Sequence, residues 1–485
     1  MQFSLQRLFG MQNSTEKYIL SGTIFISILV FGYWFFNNPV NEFKESVPGL
    51  DNRPLKDASA DTLTIIGEKF KEYTTITSAL TGKWTRFRGS DIDNINKEKI
   101  KLIDSWGKEG PKILWKTELG EGHAAPTIYN GKVYILDYDE RKKNDALRCF
   151  SLETGAEIWR RWYSVSLKRN HGMSRTTPAM NEKYIVTIGP KCHVMCCNPQ
   201  NGDLLWGLDL GKKYKVEVPL WYTGQCPLIE NDTAIIAPGG TSLMIGVDCA
   251  TGKIAWETPN PDKWKMSHSS VMPMKFAGKK MYVYCAVGGM VGVSAEGADK
   301  GKVLWKSDKF KPSVIAPSPV ILKDGKIFMT AGYGAGGTML QLVNEGNTFS
   351  VKVLQMYRPA DGMASEQQTP ILYNNFLFSI QPKDAGTSRN QLVCCNPNDC
   401  KTILWTSSKT DRYGLGPYII ADGKFFILND EGTLTIAKAS TSKFTFLDKA
   451  KIIDGQDAWG PMAIADGKLL MRDSKQMVCI DIKAK

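Results

Sequence analysis

The chain has 485 residues, 61 Lys+Arg against 49 Asp+Glu for a net charge of +12, 42% apolar residues and 13 Trp. That apolar and aromatic content can fill a large core and excludes a mainly disordered chain. The positive balance excludes an acidic tail-type protein. It is spread along the chain with no run of five or more Lys/Arg, so nucleic acid is not indicated as a partner.

Residues 18–36 (YILSGTIFISILVFGYWFF) run for 19 positions without a charge. At ~1.5 Å of rise per residue such a helix nearly matches the ~30 Å hydrocarbon layer of a bilayer. Tyr18, Tyr33 and Trp34 lie near its ends, where aromatic rings favour the headgroup region. The following NNPVNEF has no A-x-A-like cleavage site, which favours an uncleaved signal-anchor over a signal peptide. Arg7 and Lys17 precede the run with Glu16, whereas Glu42, Lys44 and Glu45 follow it. This asymmetry places residues 1–17 in the cytoplasm and the large C-terminal part on the extracytoplasmic, periplasmic side. Residues 37–112 read as a tether and edge segment, with one short helix expected around residues 61–73 and a compact WTRFRG at 84–89.

Beyond this point the chain repeats itself. An 11-residue motif has a small residue at position 1, Gly at 7 and Trp at 11. It reads CFSLETGAEIW (149–159), CCNPQNGDLLW (196–206), GVDCATGKIAW (246–256) and AEGADKGKVLW (295–305). A fifth copy, CNPNDCKTILW (395–405), lacks the Gly. Each copy fits strand–turn–strand, with Gly taking the positive φ of the turn and Trp covering a neighbouring sheet. Upstream lies a second pattern: Pro, an apolar run, a tight turn and another apolar run. Asn130-Gly131, Asp324-Gly325, Asp422-Gly423 and Asp466-Gly467 supply hairpin turns. The prolines stand at 126, 178, 227, 273, 319, 370, 417 and 461, which gives eight units of four short strands, the period of a propeller. The last unit ends three strands in, and ILWKTEL (113–119) precedes the first. The reading is therefore an all-β, eight-bladed propeller over 113–485, closed by an N-terminal strand that removes two exposed edges and preceded by one transmembrane helix.

These motifs resemble the bacterial quinoprotein (PQQ-like) eight-bladed propellers, whose tryptophan-docking motif has the same spacing. The likeness covers about residues 84–485. WTRFRG and GPKILWKTELGEGHAAP (110–126) are most similar to the members with PQQ-binding-like repeats, which are similar in turn to the outer-membrane assembly factor BamB, a non-catalytic scaffold. The resemblance implies the fold, and it admits both dehydrogenases and scaffolds.

A family dehydrogenase implies a bound quinone, a Ca²⁺ held by several hard oxygens and an Asp as base. The segments entering the innermost strands would form the funnel, and they carry few acids: Glu121, Glu366 and Asp457. No catalytic residue and no metal site is assigned. Arg175, in HGMSRTTP, takes a place similar to a quinone-contacting Arg of the family, with Thr176 and Thr177 beside it. His123, Trp221 and His268 complete a candidate ligand pocket; His171 also falls in an entry segment. The vicinal pairs Cys196-Cys197 and Cys394-Cys395 invite comparison with the family's vicinal disulfide, but Cys196 and Cys395 hold position 1 of their copies, so the registers differ. Cys is read there as a small buried residue. C-x-x-C-H, P-loop and H-E-x-x-H motifs are absent from the sequence.

The expectation is a membrane-anchored extracytoplasmic scaffold binding envelope proteins or polymers, without a cofactor. The alternative is a PQQ- and Ca²⁺-dependent alcohol or sugar dehydrogenase. A third reading has the funnel take a saccharide or an anion. If residues 18–36 anchor the chain, full-length protein stays in the membrane pellet after an alkaline carbonate wash, and a variant lacking them moves to the supernatant. Release of the full-length chain would refute the anchor.

Overall fold

In a computed structural model that describes residues 14–37, 64–346 and 348–484, the chain divides into two units, residues 1–63 and 64–485. The described part of the first is one α-helix, Ser14–Phe36. Its Lys17–Phe36 stretch has a mean hydropathy of 2.0 and no buried residue. The helix is long and apolar enough to cross a membrane.

The second unit is an eight-bladed β-propeller. Each Pro-led unit forms one four-stranded antiparallel blade, its innermost strands starting at Thr127, Ala179, Leu228, Met272, Val320, Ile371, Tyr418 and Ala463 in turn. Asn130, Asp324, Asp422 and Asp466 and the glycines after them all have positive φ, as two-residue type I′ hairpins require. The eighth blade takes its outermost strand, Lys112–Glu118, from the N-terminal side of the first, paired antiparallel with Gln476–Asp481.

The repeated glycine and tryptophan meet between blades. Trp115, on the closing strand, lies on the Gly155 turn of blade 1, where an added Cβ would come within 2.6 Å of the indole. Its Nε1 donates to the Leu152 carbonyl at 2.9 Å. Trp159 covers Gly202 of blade 2, Trp206 covers Gly252 of blade 3 and Trp256 covers Gly301 of blade 4. Position 7 thus needs glycine twice over, for a φ near +70° and for the flat ring pressed on its Cα. Position 1 is small because it stands across the strand pair from the Trp of its own blade: Cys149 opposite Trp159, Gly246 opposite Trp256, Cys479 opposite Trp115.

Two register readings from sequence need correction. In the fourth copy Gly292, not Ala295, faces Trp305, because a 3₁₀ turn (Gly297–Asp299) lengthens the hairpin. In the fifth copy Cys394, not Cys395, faces Trp405. The vicinal pairs therefore share one register, with Cys196 opposite Trp206 and Cys394 opposite Trp405 and a bulge after each. Within each pair the two side chains enter different hydrophobic clusters: Cys196 faces blade 3 and Cys197 blade 1, Cys394 faces blade 7 and Cys395 blade 5. All eleven cysteines are buried and free.

Residues 64–112 form part of the propeller unit. Residues 64–73 form a turn and the strand Lys69–Glu72, which adds to the outer edge of blade 1, where a helix was expected; residues 61–63 lie outside the described set. Residues 83–98 then lace the inner strands together. Lys83 and Trp84 pair with Tyr129 and Ile128 of blade 1, and the Thr85 carbonyl accepts from Met180 N of blade 2 at 2.9 Å. Arg86 donates to the Ile229 carbonyl of blade 3, and buried Arg88 to the Pro370 carbonyl of blade 6, both at 2.9 Å. Ile95 and Asn96 run parallel to Ile420 and Ala421 of blade 7, and Asn96 Nδ2 reaches Ile464 O of blade 8 at 3.1 Å.

Trp206→Ala removes a buried indole and its 2.8 Å bond to Cys249 O, and costs about 3–5 kcal/mol. Gly252→Ala costs about 1–3 kcal/mol from strained φ and overpacking. Urea unfolding midpoints measure both, and an unchanged midpoint for either variant would contradict the docking account.

Candidate functional site: the funnel cavity

The segments entering the inner strands converge on one cavity of about 370 Å³. It is lined by His123, Arg175, Thr177, Trp221 and His268, with Phe87 contributed by the lacing segment. Thr176 is not among them: its Oγ1 donates to Ile188 O at 2.7 Å, tying the entry segment to blade 2. Thr177 backbone N donates to the Cys226 thiol at 3.2 Å, and burial pushes that thiol's pKa up, away from nucleophilic use.

Arg175 has no carboxylate within ion-pair distance among the described residues. One of its terminal nitrogens, Nη2, donates to the carbonyls of Asn170, at 3.3 Å, and His171. Its other terminal nitrogen makes no protein hydrogen bond and is not sealed from solvent. Burial lowers the guanidinium to about 10, so it stays charged at neutral pH.

Two of the three histidines that line the cavity, His123 and His268, are neutral. His123 stacks on Trp459 at 4.9 Å between centroids, and its Nε2 lies 3.1 Å from the His171 carbonyl. Because a carbonyl only accepts, that nitrogen carries the proton. Burial, and then the charges of Arg175 and Arg472, lower its pKa to about 3. His268 is lowered to about 4 by burial and Arg175. It packs against Gly224, where a Cβ would lie 2.6 Å from Nδ1, so glycine there makes room for the imidazole. Trp221 stacks on Tyr333 at 5.9 Å and 18°.

Sequence reading missed Tyr333 and Lys383, which reach the cavity from loops between the second and third strands of blades 5 and 6 rather than from entry segments. Glu366, by contrast, was visible in its entry segment and is the cavity's carboxylate; burial raises its pKa. Glu121 is turned away to Arg169 at 2.8 Å, and Asp457 lines a neighbouring groove with Asp430 and Glu431. His171, Tyr222, Tyr333 and Asp457, at or beside the cavity, all hold left-handed φ between 49° and 66°. Such strain in bulky residues concentrates at ligand-holding sites.

Ca²⁺ takes six to eight oxygens, several from carboxylates. A lining with one carboxylate does not fit that cage, and among the described residues no three His, Cys, Asp or Glu side chains converge on a metal position. The cavity therefore does not match a Ca²⁺-quinone site.

The family profile described as outer membrane protein assembly factor BamB matches residues 102–210 and, in an overlapping match, 142–353. No curated protein matches the chain by sequence. Among solved structures, BamB from Moraxella catarrhalis is similar at 11% identity and a TM-score of 0.51, over 76% of this chain and 99% of that one. The computationally designed Ika8 protein gives 12% and 0.51 over the same shares. A europium-containing methanol dehydrogenase gives 11% and 0.54, over 82% and 89%. At these identities the likeness is one of fold.

The imidazoles set a pH dependence. Unfolded His takes its proton near 6.5, whereas these two resist it until about 4 and 3. Their contribution to stability is complete above pH ~6.5 and is lost as pH falls through that window. The His123→Gln/His268→Gln variant should lose less of its urea midpoint than wild type between pH 7 and pH 4.5. Equal losses would mean that both imidazoles titrate normally.

Proposed function

The chain belongs to the family of the outer membrane protein assembly factor BamB, and from that membership we propose that it is a non-catalytic scaffold. The N-terminal helix holds it at a membrane with the propeller on the extracytoplasmic side, where it binds envelope proteins or polymers. The observation that carries this reading is the donor set of the funnel. Among the described residues the central cation, Arg175, has no acid on it and one carboxylate lines the cavity, so proton abstraction with a metal-held quinone lacks its parts. The rest of the molecule supports a rigid platform. The ring is closed by strand pairing, the blades are locked by indoles, and residues 83–98 bind the inner strands of blades 1, 2, 3, 6, 7 and 8.

Titrating the full-length chain in detergent with PQQ and Ca²⁺ should give no saturable Trp quenching up to high micromolar quinone. Crosslinking in intact cells should yield a discrete envelope partner that is lost when residues 18–36 are removed. One-to-one PQQ binding with alcohol-dependent dye reduction would overturn the scaffold reading in favour of a quinoprotein dehydrogenase.

A further inference from the structure

We propose that the funnel is a binding site for a sugar acid: a pyranose ring bearing one carboxylate. The inference rests on the non-catalytic reading above and deepens it by naming what the central cavity holds.

Charge comes first. Arg175, Lys383 and Glu366 all line the cavity, two positive charges against one negative, which leaves one unmatched. The unmatched charge is best assigned to Arg175, because Lys383 is exposed to water and Arg175 is half-buried. A guanidinium withdrawn from water without a counter-ion is unfavourable, and a ligand carboxylate supplies one. The backbone carbonyls of Asn170 and His171 hold the guanidinium from one end and leave the other terminal nitrogen open. A single carboxylate, rather than a dianion, matches the count.

Shape comes next. The ring of blades puts Trp459 and His123 at the entries of blades 8 and 1, and Trp221 and Tyr333 at the entry of blade 3 and in blade 5. Two stacked aromatic pairs thus stand on different sides of one cavity. A volume of about 370 Å³ is within the range of small-ligand sites. Aromatic faces of this kind pack equally well against an aromatic ring or the C–H faces of a sugar.

The polar lining decides between those two. His268, Trp221 Nε1, the Tyr333 hydroxyl and the Gln367 amide have no hydrogen-bond partner among the described residues and are open to solvent. Neutral imidazole, phenol and amide each donate and accept. That mixture suits hydroxyl groups, which do both, and finds little use in an aromatic acid.

The test is calorimetry on the full-length chain in detergent with glucuronate, galacturonate and trigalacturonate. Glucose and galactose serve as neutral sugars, and nicotinate and PQQ as ring acids without sugar hydroxyls. One uronate should bind one-to-one, with the neutral sugars weaker by about tenfold or more. Arg175→Ala should lose about tenfold or more while Arg175→Lys keeps part of the affinity, both with wild-type urea midpoints. Tighter binding of trigalacturonate would make an envelope polymer the source; equal binding would make it the free sugar acid. No saturable uronate binding, equal binding of neutral sugars, or tighter binding of nicotinate would overturn the proposal. If PQQ stays silent in that case, the scaffold reading stands. PQQ binding with Ca²⁺ would sink both.

Discussion

The contact on which the structure depends is an indole lying flat on a glycine of the next blade. Trp115, Trp159, Trp206 and Trp256 each bury one face on the turn of the following blade, at Gly155, Gly202, Gly252 and Gly301. Each contact fixes the separation and tilt of two sheets that share no hydrogen-bonded edge. The run begins at the closing strand, so the covalent break in the ring is bridged by strand pairing and by docking together. Where the glycine is missing the contact changes character. Trp305 turns its N–H to the Met281 sulfur of its own blade at 3.2 Å, whereas Trp405 keeps a bond to the next blade, to the Thr441 carbonyl at 3.2 Å, but lays its ring against Phe444 instead of a glycine. Blade spacing there rests on side-chain packing rather than on one repeated geometry.

A ring locked in this way holds its inner strands apart, and the polar chain ends that point inward need partners. Residues 83–98 meet that need by donating side-chain hydrogen bonds to inner strands around the circle and by exchanging backbone ones with them. This is why two arginines, Arg86 and Arg88, can sit largely buried with backbone carbonyls as acceptors. The same segment supplies Phe87 to the cavity. The funnel is consequently a partly buried cavity in which one guanidinium stays charged and two imidazoles stay neutral. Those charge states follow from burial, and they set what chemistry of ligand the space accepts.

Much of this was legible residue by residue. The Pro spacing and the Asn-Gly and Asp-Gly turns specify blades because each is a local backbone requirement. Cys149, Cys196 and Gly246 marked the right position for a small residue because the hairpin between it and Trp has one length in those copies. The reading slipped where that length changed. A 3₁₀ turn moved the partner of Trp305 to Gly292, and one extra residue moved that of Trp405 to Cys394. A bulge or an inserted turn alters register without leaving a clear hydrophobic signature. The supposed mismatch between the two vicinal cysteine pairs came from that slip. The reason for keeping their thiols apart is instead that neighbouring strand residues face different cores.

The sequence by itself determined the apolar helix, the number of blades, the closing strand and seven residues of the cavity: His123, His171, Arg175, Thr177, Trp221, His268 and Glu366. Each of these follows from local periodicity or from a position repeated in every unit. Only the tertiary structure decided that Thr176 serves blade 2, that residues 83–98 lace the channel, and that Tyr333, Lys383 and Trp459 share a cavity with Arg175. Those facts depend on long-range closure, which brings together residues as far apart as Phe87 and Trp459. Closure also buries His123, Arg175 and His268 against one another, and so sets the charges that the cavity presents.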